Sequence, residues 1–196
     1  MVSRVLIFRH GETEWSSSGR HTGRTDIALS SQGEANASRL ASVLAGIHLS
    51  RVFSSPRRRA LRTCELAGLG AVRVVDPDLA EWDYGDYEGL LTAEIELRRP
   101  GWRLFRDGCP GGESAADVSS RADRVIARLR ALDGVIAVFS HGHFSRVLAA
   151  RWVGSGLGLG EHLLLDTASL GVLSFEHNNP DSPVIARWNL GSSGAL

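Results

Sequence analysis

The chain contains no lysine; all 22 of its basic residues are arginine. That absence excludes a Walker-type phosphate loop and any Schiff-base chemistry, since both need a lysine amine. Cysteine is scarce too: Cys64 and Cys109 form neither a metal-ligand spacing nor a disulfide framework, which suits a reducing cytoplasm. Neither sign of charge is in excess, because 22 acidic residues balance the 22 arginines. There is accordingly no general basic field to suggest a nucleic-acid partner. Long apolar runs are missing as well, and none approaches membrane-spanning length. The stretch from Val2 to Phe8 carries Arg4, is too short for a signal core and lacks a cleavage-site pattern. These absences lead us to expect a soluble, cytoplasmic protein. With 196 residues, 43% of them hydrophobic and 22% charged, the chain is expected to form one domain over 1–196 with a real core.

What is present begins with Val5-Leu6-Ile7-Phe8, a buried strand (Arg4 to Phe8) that ends in Arg9-His10-Gly11. A polar loop rich in hydroxyls, arginines and glycines follows, from Trp15 to Arg24. Ser31-Gln32-Gly33-Glu34 matches a capping box, and Ala37, Leu40, Ala41, Leu44 and Ile47 continue at amphipathic helical spacing. Arg51 to Ser55 reads as a second strand halted by Pro56. The helix after it opens with Arg57, Arg58, Arg59 and Arg62, although helix N-termini favour anions; cations stacked there suggest an anion nearby. Ala71 to Val75 is a short third strand leading into an acidic, aromatic turn over 78–85, and the irregular stretch Leu91 to Gly112 reads as a cover. Ser114 to Leu132 is the clearest helix, Val135 to Phe139 a central strand, and Phe144 to Val153 a helix. Strands near Leu170 to Phe175 and Val184 to Trp188 complete the chain. Strands alternating with amphipathic helices predict a mostly parallel α/β sheet, in which ligands bind beyond the carboxyl ends of the strands. His10, Arg57 and His141 each lie just past such an end.

These residue types permit one particular chemistry. A neutral His10 can attack phosphorus and carry the phosphoryl group, dividing one hard displacement into two easier ones. Arg9, Arg57 and a protonated His141 would supply fixed positive charge, with backbone N–H groups near Gly11 and Gly142 adding to it. Glu81, set between Leu79 and Trp82, is a candidate general acid whose protonated form an apolar setting favours. No metal or other cofactor is required. Each residue has a plainer reading beside this one: His10 as a strand-end histidine, the arginines as a solvated helix face, His141 and His143 as a metal pair with both rings on one side of an extended segment. The combination carries the argument.

Four ordered segments then resemble the histidine phosphatase superfamily over nearly the whole chain: Arg9-His10-Gly11-Glu12-Thr13-Glu14-Trp15, Ser54 to Ala60, Leu79 to Gly89, and Ser140-His141-Gly142-His143. The resemblance implies a three-layer αβα sandwich of the phosphoglycerate-mutase-like kind. It also implies a phosphate pocket of Arg9, His10, Arg57 and His141, with Glu81 as proton donor. Glu81 to Gly85, Asp107 to Glu113 and Ser140 to Arg146 look like one branch, which includes a mycobacterial-type acid phosphatase and the fungal sedoheptulose-1,7-bisphosphatase. By that resemblance Thr22, Gly23, Tyr84, Arg146, His177 and Asn178 are candidate substrate contacts, with Arg146 anchoring the second phosphate of a bisphosphate. Many family members have Asn where Ser16 stands and Gln where Thr22 stands; hydroxyls there still donate to phosphate. The expected substrate is a small phosphate ester, such as a sugar phosphate or bisphosphate. Phosphoglycerate mutase activity and a non-catalytic phosphate-binding module are the alternatives, and a homodimer is allowed but not required.

Overall fold

The computed structural model describes residues 2–191. Its elements run β1 (Val2–Arg9), α1 (Glu14–Ser18), α2 (Ser31–Leu44), β2 (Leu49–Ser54), α3 (Arg58–Leu66), β3 (Arg73–Val75), α4 (Thr92–Arg98), α5 (Leu104–Asp107), α6 (Ala115–Arg130), β4 (Gly134–Ser140), α7 (Gly142–Trp152), β5 (Leu170–Phe175) and β6 (Pro183–Leu190). The six strands form one sheet in the order β3-β2-β4-β1-β5-β6. β3, β2, β4 and β1 run parallel, β5 runs antiparallel to β1, and β6 antiparallel to β5.

Successive side chains of a strand point to opposite faces, so an unbroken apolar run needs a layer on each side. β1 shows this directly. Val5 and Ile7 join Ile136 and Val138 of β4 beneath α6 and α7, where Val118, Val125, Phe144 and Leu148 are buried. Leu6 and Phe8 join Ala137 and Phe139 on the other face, against Leu40 and Leu44 of α2 and Cys64 of α3. Phe8 and Phe139 stack with ring centroids 4.7 Å apart. The result is the expected αβα sandwich, and no described helix is long and apolar enough to cross a membrane.

Two local readings need correction. Ser30, not Ser31, caps α2: its hydroxyl accepts from the Gly33 amide at 3.0 Å and donates to the Glu12 carboxylate at 2.7 Å. Glu34 turns away from the cap to meet Arg62 at 2.7 Å. The start of α2 thereby lies against the end of β1, so closely that a Cβ added to Gly11 would sit 2.5 Å from the Gly33 carbonyl oxygen. The cover over 91–112, which the sequence predicts as one short helix and a loop, contains two short helices, and buried Ile95, Trp102, Leu104 and Phe105 fasten it to the body. By contrast the helix read from Ser114 has the expected cap, a reciprocal bond pair between Ser114 and Asp117.

Candidate active site

The carboxyl ends of β1, β2 and β4 are stitched together by main-chain bonds. The His10 amide donates to the Ser140 carbonyl at 3.0 Å, and the Ser55 amide to the Phe139 carbonyl at 2.9 Å. This places His10 and His141 in edge-to-face contact, with ring centroids 5.2 Å apart. His10 Nδ1 lies 2.7 Å from the Gly11 carbonyl oxygen. A carbonyl can only accept, so Nδ1 carries the proton and Nε2 keeps its lone pair. Burial pushes the His10 pKa well below the usual histidine value, and the charges of Arg59 and Arg9 push it further. The imidazole is therefore neutral and oriented, as a nucleophile must be.

His141 is fully buried behind it, with Nε2 2.7 Å from the Ser55 hydroxyl. The sequence predicts a protonated ring here. Burial, then Arg59, His10 and Arg57, instead drive its pKa well down, so the imidazolium needs an anion beside it to persist. The alternative reading, a metal pair with His143, fails geometrically. His141 is the N-cap of α7 and His143 lies within its first turn, so the segment is not extended. His143 Nδ1 meets the Tyr84 hydroxyl at 2.6 Å while His141 faces Ser55.

The arginine run is sorted by the helix. Arg58 is exposed, Arg57 half-buried and Arg59 fully buried at the start of α3. Arg59 was not singled out from the sequence, yet its charge acts on both imidazoles more strongly than any other. Its guanidinium also donates to the carbonyls of Thr25 (2.9 Å), Thr22 (2.8 Å) and Gly23 (3.1 Å), fixing the loop after α1. Arg57 forms no such clamp and acts on His141 through its charge. Arg9 donates to the Leu165 carbonyl at 2.6 Å. Among the described residues, the buried side-chain nitrogens left without a partner are Nε of Arg9, Arg57 and Arg59, and Nδ1 of His141. Buried donors are ordinarily paired, so these orphans, on arginines whose charges bear on His10 and His141, are suited to an oxyanion.

In front of His10 opens a cavity of about 590 Å³, lined by Arg9, His10, Glu81, Tyr84, Gly142 and Arg146 among others. Glu81 is not merely pressed between apolar neighbours. Its carboxylate accepts from the amides of Trp82 (2.9 Å), Phe144 (2.8 Å) and His143 (3.1 Å), the last two at the N-terminus of α7. Arg146 lies over the Phe105 ring, 4.8 Å from its centroid, and donates to the carbonyls of Gly160 and Glu161. Ser16 and Thr22 line the cavity, but Ser16 Oγ donates to the Thr13 carbonyl and Thr22 Oγ1 to that of Arg20. Gly23 serves packing: its amide donates to the Glu88 carboxylate, and a Cβ there would meet the Trp82 carbonyl oxygen at 2.5 Å. His21, which the sequence reading passed over, lines the cavity with Nδ1 2.8 Å from the Leu90 carbonyl.

His177 and Asn178 are not brought to the site. β5 pairs antiparallel with β1, with Leu170 opposite Phe8 and Ser174 opposite Arg4. The turn after Phe175 therefore lies at the far end of the sheet from His10. Both residues adopt positive φ there, 50° and 57°.

Buried His10 and His141 predict a pH dependence of stability. Their folded pKa values lie below the unfolded one, so the unfolded chain binds more protons in the interval between them. The stabilisation is fully present above the unfolded value of about 6.5 and is lost as pH falls below it, by up to about 1.4 kcal/mol per pH unit for each histidine. Melting curves from pH 8 to 5 are expected to show a falling Tm below about 6.5, and a flat Tm across that interval would contradict the assignment.

The chain is similar to known proteins. The family model for the histidine phosphatase superfamily (branch 1) matches residues 5–190. An acid phosphatase of Mycobacterium tuberculosis is 46% identical over 178 residues, which cover 89% of this chain and 87% of that protein. Sedoheptulose 1,7-bisphosphatase of Saccharomyces cerevisiae is 36% identical over 250 aligned positions, covering 94% of this chain and 92% of the relative. The solved structure of a Mycobacterium tuberculosis open reading frame superposes with a TM-score of 0.89 at 42% identity, covering 97% of this chain and 98% of that one. On these grounds the chain belongs to branch 1 of the histidine phosphatase superfamily, and it is a phosphatase.

Proposed function

We propose that the protein is a phosphomonoesterase for small phosphorylated metabolites and that it works through a phosphohistidine on His10. The observation that carries this reading is the tautomer of His10, with Nδ1 committed to the Gly11 carbonyl and Nε2 left to attack, under the charges of Arg59 and Arg9, each with an unpartnered Nε. In the first step Nε2 attacks phosphorus and the ester P–O bond breaks. Glu81 delivers its proton to the departing oxygen, and the carboxylate left behind is received by three backbone N–H groups. In the second step that carboxylate takes a proton from water, whose oxygen attacks phosphorus as the P–N bond breaks. Inorganic phosphate leaves and both residues return to their starting forms. Arg9, Arg57 and Arg59 hold the equatorial oxygens throughout, and a phosphate dianion beside His141 supplies the charge that favours its imidazolium.

The cavity exceeds what one phosphate fills. Arg20, Arg103 and Arg146 line its outer part, and Trp102, Leu104 and Phe105 add apolar surface. A sugar phosphate or bisphosphate fits that mixture, with the distal phosphate near these arginines; the name of the yeast relative agrees. The direct test is an acid-quench experiment with labelled substrate, combined with assays against sugar mono- and bisphosphates. A trapped acid-labile phosphoenzyme is expected, together with phosphate release that needs no bisphosphoglycerate priming. Strict dependence on priming would instead mark a mutase. Glu81→Gln is expected to slow an alkyl phosphate about 10²–10⁴-fold and to slow nitrophenyl phosphate far less, because nitrophenolate leaves without a proton. Equal losses on both substrates would remove Glu81 from the proton-donor role.

A further inference from the structure

The end of β6 contains a feature that the reaction described above does not use. Asn189 has φ +55° inside a strand. Such a φ is uncommon for a residue with a side chain, though Asn tolerates it better than most. The pairing with β5 slips at the same place: Leu170 faces Leu190, but Val172 faces Arg187 and Leu173 faces Ile185, so β6 carries two residues more than its partner over this stretch. This is a β-bulge, a device that re-aims side chains and recurs beside active sites.

The bulge aims two side chains at one segment. The Trp188 indole N–H donates to the Leu164 carbonyl at 2.7 Å. Asn189 makes a two-point clamp on Asp166, its Oδ1 accepting from the Asp166 amide at 2.7 Å and its Nδ2 donating to the carboxylate at 2.9 Å. Between these anchors lies Leu165, whose carbonyl receives the Arg9 guanidinium at 2.6 Å. The turn continues through Ala168, also at positive φ (53°), whose amide donates to the His10 carbonyl at 3.0 Å. Ser169 closes it, its carbonyl accepting from the Arg9 amide at 3.0 Å. Among the described residues, the side-chain hydrogen bond of the Arg9 guanidinium thus goes to a carbonyl flanked by the two anchors from β6.

We propose that Asn189 is a positioning residue for phosphate binding, holding the 164–166 segment so that Arg9 faces the phosphate beside His10. The proposal rests on the reading of that site as a phosphate site. Strain at Asn189 is consistent with it, because a left-handed residue inside a strand persists only where its surroundings over-determine it.

Asn189→Gly tests the side chain without disturbing the backbone, since glycine adopts positive φ freely. The expected result is a dissociation constant for inorganic phosphate raised by about tenfold to a hundredfold, with kcat/KM lowered to match, and a Tm near that of the wild type. In an Arg9→Ala background the same change is expected to add almost nothing, because its effect passes through Arg9. Asn189→Asp keeps the acceptor for the Asp166 amide but sets two carboxylates face to face. Its phosphate affinity is expected to be poor at neutral pH and to recover as the pair takes up a proton. Unchanged phosphate affinity in Asn189→Gly overturns the proposal, whether or not the Tm falls, and so does full additivity with Arg9→Ala. Failure of the wild type to bind phosphate would be a different result, removing the phosphate-site reading itself.

Discussion

His10→Ala is expected to lower turnover by roughly 10⁴-fold or more and to abolish the acid-labile phosphoenzyme. The size of the loss follows from the absence of a substitute. His143 Nδ1 is paired with Tyr84, His21 Nδ1 with the Leu90 carbonyl, and His141 is fully buried behind His10. None of the three shares both the position of His10 at the cavity floor and its place among the unpartnered arginine nitrogens. The fold should survive the change. His10 is buried as a neutral ring, so its removal strands no charge, and only the Gly11 carbonyl loses a donor. Steady-state rates, acid-quench trapping and a melting curve on the same preparation check all three expectations. A variant that keeps full activity, or that still traps phosphate in acid-labile form, would end the phosphohistidine mechanism.

The second large effect is expected at Arg59. Arg59→Met removes the donor to the Thr22, Gly23 and Thr25 carbonyls, along with one of the cations proposed to hold the phosphate. Loss of one preorganised donor to transition-state charge lowers kcat by about 10²–10³-fold. Stranding the loop carbonyls costs about 1–3 kcal/mol of stability. A sign can be attached to the pH profile as well. Arg59 is the charge that most strongly depresses the pKa of His10, so its removal lets that pKa rise. The neutral nucleophile is then lost at a higher pH, and the acid limb of kcat/KM moves upward. Arg57→Met is the control: it has no clamp to break and should reduce rate with little change in Tm. The reverse order of Tm losses would show that Arg57, not Arg59, braces the site.

These two sites differ in how they could be read. His10 was legible because it ends an apolar run long enough to be a central strand, and polar residues at such ends collect ligands. Arg59 was not legible because Arg57, Arg58 and Arg59 are the same residue three times over. Each step along a helix turns the side chain by about 100°. Which of the three points inward depends on how α3 rests against β2 and β4, and that is a tertiary fact. Glu81 was identified by its segment, but its three N–H donors come largely from α7, sixty residues further on. Its surroundings could not be inferred from Leu79 and Trp82 alone.

The sequence by itself determined the layer count, the strand ends and the candidate nucleophile, because alternating burial and apolar run length are local properties of the chain. The tertiary structure decided everything that depends on direction and register. The antiparallel course of β5 carries His177 and Asn178 away from the site, although a parallel strand would have brought its end toward it. The register slips between β5 and β6 turn Trp188 and Asn189 onto the segment that holds Arg9. Side-chain period in a strand is two, so the first extra residue reverses which face the neighbouring side chains take and the second restores it. Nothing in composition or spacing records where those residues fall.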